Sequence, residues 1–115
     1  SLQDIEGLQL SAAKPNVDPT YWISVAILDP KYGLNKEELG RRFAEHRIDM
    51  RPLFYPVSAM PPFQPYVAGK MMSKENPITY KLSKYGVCLP NGNGLSEEDV
   101  RYVCESFKRI LASSC

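Results

Sequence analysis

The chain has 115 residues, a hydrophobic fraction of 43%, and 14 basic against 13 acidic side chains, giving a net charge of +1. That is the size of one domain with one modest core, and the balanced charge excludes the electrostatic footprint of a nucleic-acid or anionic-membrane binder. The longest apolar stretch, Trp22 to Leu28, is far too short to span a bilayer. No basic-then-apolar leader opens the sequence.

Cys88, Cys104 and Cys115 make an odd, widely spaced set, and His46 is the only histidine. Neither a disulfide framework nor a zinc site is expected from such a pattern, which points to a reducing, cytoplasmic protein without a structural metal.

Residues 1–19 have weak periodicity and contain Gly7, Pro15, Asn16 and Pro19. They read as an irregular arm with a short ordered stretch near Leu8 to Leu10, or as the tail of a preceding domain, with the domain proper at 20–115. Tyr21 to Leu28 is aromatic and β-branched and is closed by Asp29-Pro30, so a strand is predicted there, buried on both faces near its end. After the Tyr32-Gly33 turn, Asn35 is placed to cap a helix over 36–47, with Glu38 completing a capping box and Leu34 stapled to Leu39. Leu39 and Phe43, four apart, supply its apolar side.

Ile48 to Phe54 reads as a second strand, with Pro52 marking an edge or an end. Pro56, Pro61, Pro62 and Pro65 then make Tyr55 to Tyr66 a stiff, non-repetitive loop, and 67–75 is expected to be mobile. Asn76-Pro77 starts a helix over 77–85 that Gly86 stops, with Ile78, Leu82 and Tyr85 on its apolar side. Val87 to Pro90 is a short strand. Ser96 caps the last helix, Glu97, Glu98 and Asp99 complement its dipole, and Leu95 is placed to staple to Val100. Val100, Val103, Cys104, Phe107, Ile110 and Leu111 form its apolar stripe. The elements add up to an α+β fold, a small two-layer sandwich with a short, mostly antiparallel sheet and helices on one face.

Few groups suit catalysis. Asn91-Gly92-Asn93-Gly94 lacks the spacing and the lysine of a phosphate cradle. His46 sits at a helix end, where a solvated, dipole-stabilised histidine is the simpler reading, and Cys88 and Cys104 read as packing. The segment that stands out is Arg51-Pro52-Leu53-Phe54-Tyr55-Pro56, running on to Ser58. Arg51 offers a planar fork for a carboxylate or phosphate, or else it pairs with Asp49 or Glu45. Phe54 and Tyr55 point to opposite sides if the strand continues.

The run Ile48-Asp49-Met50-Arg51-Pro52-Leu53-Phe54-Tyr55-Pro56 resembles a segment of the DegT/DnrJ/EryC1/StrS aminotransferases. So do the Tyr21-Trp22 opening, the Asn35-to-Phe43 helix, Asn76-Pro77, Cys88-Leu89-Pro90 and the Leu95-to-Val100 helix start, in the family's order. Phe54-Tyr55-Pro56 and Asn76-Pro77-Ile78 are worded most like the perosamine synthases of that family. The resemblance implies the C-terminal small domain of a fold-type I enzyme dependent on pyridoxal phosphate. Glutamate would donate the amino group and a nucleotide-linked 4-keto-6-deoxy sugar would accept it.

It further implies that the cofactor and its lysine belong to an N-terminal large domain, since none of the eight lysines here lies in a segment like the family's lysine motif. This chain would bind no cofactor and be inactive alone, and the full-length enzyme would be a homodimer. Arg51, Phe54, Tyr55 and Ser58 are the substrate-binding candidates that the resemblance implies, though the family often has histidine where Ser58 stands. A serine can hydrogen bond there but cannot carry charge or shuttle protons near neutral pH. The competing reading is a freestanding binding or interaction module of the same architecture.

Overall fold

The computed structural model describes residues 2–114. Leu8–Leu10 (β1), Ser24–Leu28 (β2), Arg51–Pro52 (β3) and Gly86–Leu89 (β4) form one open antiparallel sheet in the order β1-β2-β4-β3. Lys36–Glu45 (α1) lies between β2 and β3, Met72–Glu75 (α2) and Pro77–Tyr85 (α3) precede β4, and Glu97–Ala112 (α4) closes the fold. This is the α+β sandwich expected from the sequence, with the ordered stretch of the arm serving as an outer strand.

The register explains which face is buried. Ala26 is opposite Val87 and Leu28 is opposite Leu8, so these side chains share one face. There they join Leu39 and Phe43 of α1 and Phe107, Ile110 and Leu111 of α4 in one core. Phe43 and Phe107 meet edge to face, with ring centroids 5.1 Å apart and planes at 65°, an arrangement that the ring quadrupoles favour. On the opposite face Val25 and Ile27 are only half-buried, so β2 is not enclosed on both sides as the apolar run suggested.

Several boundaries differ from those predicted, each for a local reason. The strand expected from Tyr21 begins at Ser24 because Tyr21 takes a left-handed backbone, φ 49°. Its carbonyl and that of Trp22 are taken by the Asn91 side-chain amide at 2.6 and 3.0 Å. Helix α1 stops at Glu45, with Arg47 left-handed at φ 57°. Asn35 caps it through Glu38 N–H at 2.9 Å, but the Glu38 carboxylate turns away to Arg41 and Arg42, so the box is only half formed.

Strand β3 shrinks to two residues on the outer edge. The proline loop is not irregular: Val57–Ala59 and Pro61–Tyr66 wind into 3-10 turns, in which the missing N–H groups of Pro61 and Pro62 at the first positions would have gone unused, while Pro65 lies within the second turn. The stretch expected to be mobile includes α2. Helix α3 has the predicted limits, yet Asn76 does not cap it through its side chain. Ile78 is exposed and Ser83 is buried on that helix. Ser96 and Asp99 form a reciprocal capping box on α4, whereas Leu95 and Val100 both remain exposed.

Candidate functional site

Arg51 stands opposite Cys88 on the outer edge of the sheet, where Pro52 costs no ladder hydrogen bond. Its guanidinium donates to Asp49 at 3.1 Å, and the two side chains are 79% and 78% exposed. Of the two partners the sequence offered, Asp49 is the one engaged. A pair this solvated contributes at most about 1 kcal/mol, so a ligand carboxylate or phosphate can take its place on the arginine fork.

The alternation of β3 continues past its end. Phe54 turns toward Trp22, with ring centroids 6.5 Å apart. Tyr55 turns the other way and lies under Lys36, whose Nζ is 3.6 Å from the ring centroid. The same ammonium donates to the Leu53 carbonyl and to Ser83 Oγ, both at 3.2 Å. Lys36 is only 3% exposed, and burial holds its amine below the ordinary lysine value. Sequence reasoning did not single out this residue. The available signal was a cation at the first position of α1, where the helix dipole prefers the acidic type found at Glu37 and Glu38.

Ser58 Oγ shares a hydrogen bond with Tyr80 Oη at 3.1 Å, and its carbonyl accepts from Gln64 Nε2 at 3.0 Å. Lys36, Tyr55, Pro56, Tyr80 and Ser83 line an open cleft of about 560 Å³. The four predicted residues therefore fall in three places. Arg51 is at the sheet edge, Phe54 is beside Trp22, and Tyr55 is in the cleft, which Ser58 reaches through Tyr80. A larger cleft, about 870 Å³, lies elsewhere, between Leu10, Ser11 and Val25 on one side and Leu95, Val100 and Cys104 on the other. None of the four predicted residues lines it.

Large apolar side chains are exposed both along the segment that holds Phe54 and Tyr55 and just before β2. Tyr21, Trp22, Val57, Phe63, Tyr66 and Met71 are all exposed, Trp22 at 76% and Tyr66 at 81%. Cys88, by contrast, is buried, and burial pushes its thiol up in pKa. With Cys104 packed against the core, both read as packing residues; Cys115 lies outside the described residues.

Pyridoxal phosphate requires a reachable amine and a cluster of donors for its phosphate. The buried amine, Lys36, is enclosed by Leu53, Ser83 and the Tyr55 ring. The Asn91-to-Gly94 turn holds the Tyr21 and Trp22 carbonyls through Asn91 instead of presenting a cradle. Neither Lys36 nor that turn fits the cofactor.

The fold is nonetheless one found in known enzymes. It reproduces part of an aminotransferase fold: TlmJ from Streptoalloteichus hindustanus superposes with a TM-score of 0.75 at 18% identity, over 97% of this chain and 28% of that one. Spr1654 from Streptococcus pneumoniae, solved in its PMP form, gives 0.79 at 18% identity over 95% and 27%. In sequence, the chain is 35% identical to a GDP-perosamine synthase of Escherichia coli O157:H7 over 91% of its length and 27% of the relative's. A GDP-perosamine synthase of Vibrio cholerae is 28% identical over 80% of this chain and 24% of the relative. The chain thus spans about a quarter of the length of these relatives.

The model of the DegT/DnrJ/EryC1/StrS aminotransferase family matches residues 1–108, and the chain belongs to that family. Its members are sugar aminotransferases dependent on pyridoxal phosphate.

Proposed function

We propose that this chain is the C-terminal small domain of a cytoplasmic, homodimeric transaminase that moves an amino group from glutamate to a nucleotide-linked 4-keto-6-deoxy sugar, in the manner of a perosamine synthase. Residues 20–115 are the small domain and 1–19 its junction with a large domain that holds the cofactor and its lysine. Alone, the chain is inactive. The observation that carries the reading is the aromatic, proline-turned segment after Arg51. It lies within the family match and leaves Phe54, Tyr55, Phe63 and Tyr66 uncovered.

In this role the chain's own residues bind and orient. Arg51 holds an anionic group of donor or acceptor with its fork. Tyr55 or Phe54, which turn to opposite sides, supplies a flat apolar wall for the sugar and excludes water from it. Ser58 hydrogen bonds through its hydroxyl while tied to Tyr80.

The test is to isolate the longer reading frame, supply glutamate and pyridoxal phosphate, and assay a panel of nucleotide-linked ketosugars. Formation of an amino-sugar nucleotide by the long protein, and none by residues 1–115, is expected. A reading frame without a lysine-bearing α/β domain would sink the proposal in favour of a freestanding binding module.

A further inference from the structure

Lys36 occupies a place that local terms oppose. As the first residue of α1 it sets a cation at the positive end of the helix dipole. Removing an ammonium from water is costly unless its hydrogen bonds are replaced. A lysine kept under both penalties is held by its tertiary surroundings, and such conflicts between local preference and fold mark functional positions.

Those surroundings are specific. An ammonium has three N–H donors. Here it meets the Leu53 carbonyl at the exit of β3, Ser83 Oγ on α3, and the face of Tyr55. With these partners the amine has no donor left for an incoming anion and is shielded as a nucleophile. Tyr55 is still 55% exposed, so one side of its ring remains open. The ammonium therefore touches both the backbone just before Phe54 and the ring just after it, and ties them to α1 and α3.

We propose that Lys36 is a positioning residue whose ammonium fixes the Leu53 carbonyl and the Tyr55 ring, and so sets the wall formed by Tyr55 and Pro56 against a nucleotide-linked sugar. The substrate in this statement rests on the function proposed above; the fixing of the loop does not.

The experiment uses the full-length enzyme with Lys36→Met, Lys36→Arg, Tyr55→Leu and the double variant Lys36→Met/Tyr55→Leu. Lys36→Met should raise KM for the sugar nucleotide about tenfold, the scale of one desolvated cation–π contact. It should leave kcat within about twofold and melting within a few degrees. Lys36→Arg should recover most of the KM, because it restores the cation over the ring. The double variant should match the worse single variant, since residues acting as a unit are not additive. Additive effects, or a fall in melting with KM unchanged, would overturn the proposal. If Lys36→Met does not fold, the same cycle run with Lys36→Gln, which can still donate to the Leu53 carbonyl but removes the cation from the ring, and Tyr55→Leu decides it.

If the wild-type enzyme transaminates no nucleotide-linked ketosugar, the functional reading fails while Lys36 remains testable. Chymotrypsin cleavage within residues 54–71 should then be about tenfold faster in Lys36→Met than in the wild type, because proteolysis follows the population of the opened loop. An unchanged rate overturns the positioning role.

Discussion

Arg51 and Asp49 face each other at 3.1 Å on the outer edge of the sheet, both almost fully in water. The distance satisfies an ion pair, but the exposure denies it much weight in stability. Arg51→Ala in the full-length enzyme is therefore expected to lower kcat/KM by about a hundredfold, as loss of a bidentate anion contact would. The melting temperature should move by no more than about 2 °C. Thermal scans beside steady-state kinetics check this. Parallel losses in both would mean that the pair with Asp49 is structural and that Arg51 meets no substrate.

Gly86 joins α3 directly to β4 and takes an extended backbone, φ −93° and ψ 141°. Its requirement is space, because a Cβ there would lie 2.6 Å from the Leu82 carbonyl oxygen and 2.9 Å from Ile27 Cδ1, and would also strike Leu53. The carbonyl cannot rotate away without opening the last turn of α3. Gly86→Ala should cost about 1–3 kcal/mol, as overpacking does, and lower melting by several degrees. Leu53 precedes Phe54, so the displaced side chain should also raise KM for the sugar nucleotide. Unchanged melting would show that the junction yields more readily than its contacts imply.

Ser96 and Asp99 cap α4 reciprocally: the Asp99 N–H donates to Ser96 Oγ at 3.1 Å, and the Asp99 carboxylate accepts from the Ser96 N–H at 2.9 Å and from its hydroxyl at 2.6 Å. These bonds to the charged form, the hydroxyl's first, hold the Asp99 carboxyl below its ordinary value. A carboxyl depressed in the folded state stabilises above its unfolded pKa and loses that contribution as pH falls through the folded one. Ser96→Ala should cost about 1 kcal/mol near neutrality. The difference in melting between wild type and variant should narrow as pH drops from about 5 toward 3. A constant difference across that range would mean that the carboxylate takes no part in the cap.

What the sequence reveals divides along the range of the forces involved. Helices α1 and α4 are legible because their caps, dipole charges and apolar spacing are local, and Leu39, Phe43, Phe107, Ile110 and Leu111 do reach the core; α3 keeps its predicted limits through Pro77 and Gly86, although Asn76 does not cap it. The limits of β2 are not legible, because they depend on Asn91, about seventy residues away, drawing in the Tyr21 and Trp22 carbonyls. Lys36 was missed for the same reason. A lysine beside two glutamates looks like a solvated helix start until Ser83 and Tyr55 arrive from distant segments. Within the site, the opposite turns of Phe54 and Tyr55 follow from strand alternation and were foreseen. That Ser58 would be tied to Tyr80 depends on the 3-10 turn at Val57–Ala59, which the proline count concealed.

Trp22 and Phe54, 6.5 Å apart and 76% and 63% exposed, are the nearest thing on this surface to an uncovered core. Tyr21, Tyr66 and Met71 are exposed as well, and large apolar side chains left in water mark interaction surfaces where they lie together. Leu2 and Leu8 of the amino-terminal arm are buried within this chain, so that arm is a poor docking face for the proposed large domain. The aromatic loop is the better candidate, and hydroxyl-radical footprinting can test it. In the isolated chain Trp22, Tyr66 and Met71 should be labelled at nearly the rate of free side chains; in the full-length protein the rate at Trp22 should fall by about tenfold, as expected for a residue buried at an interface. Equal labelling in both proteins would place the large domain elsewhere, with the cleft between Leu10, Val25 and Val100 as the next surface to probe.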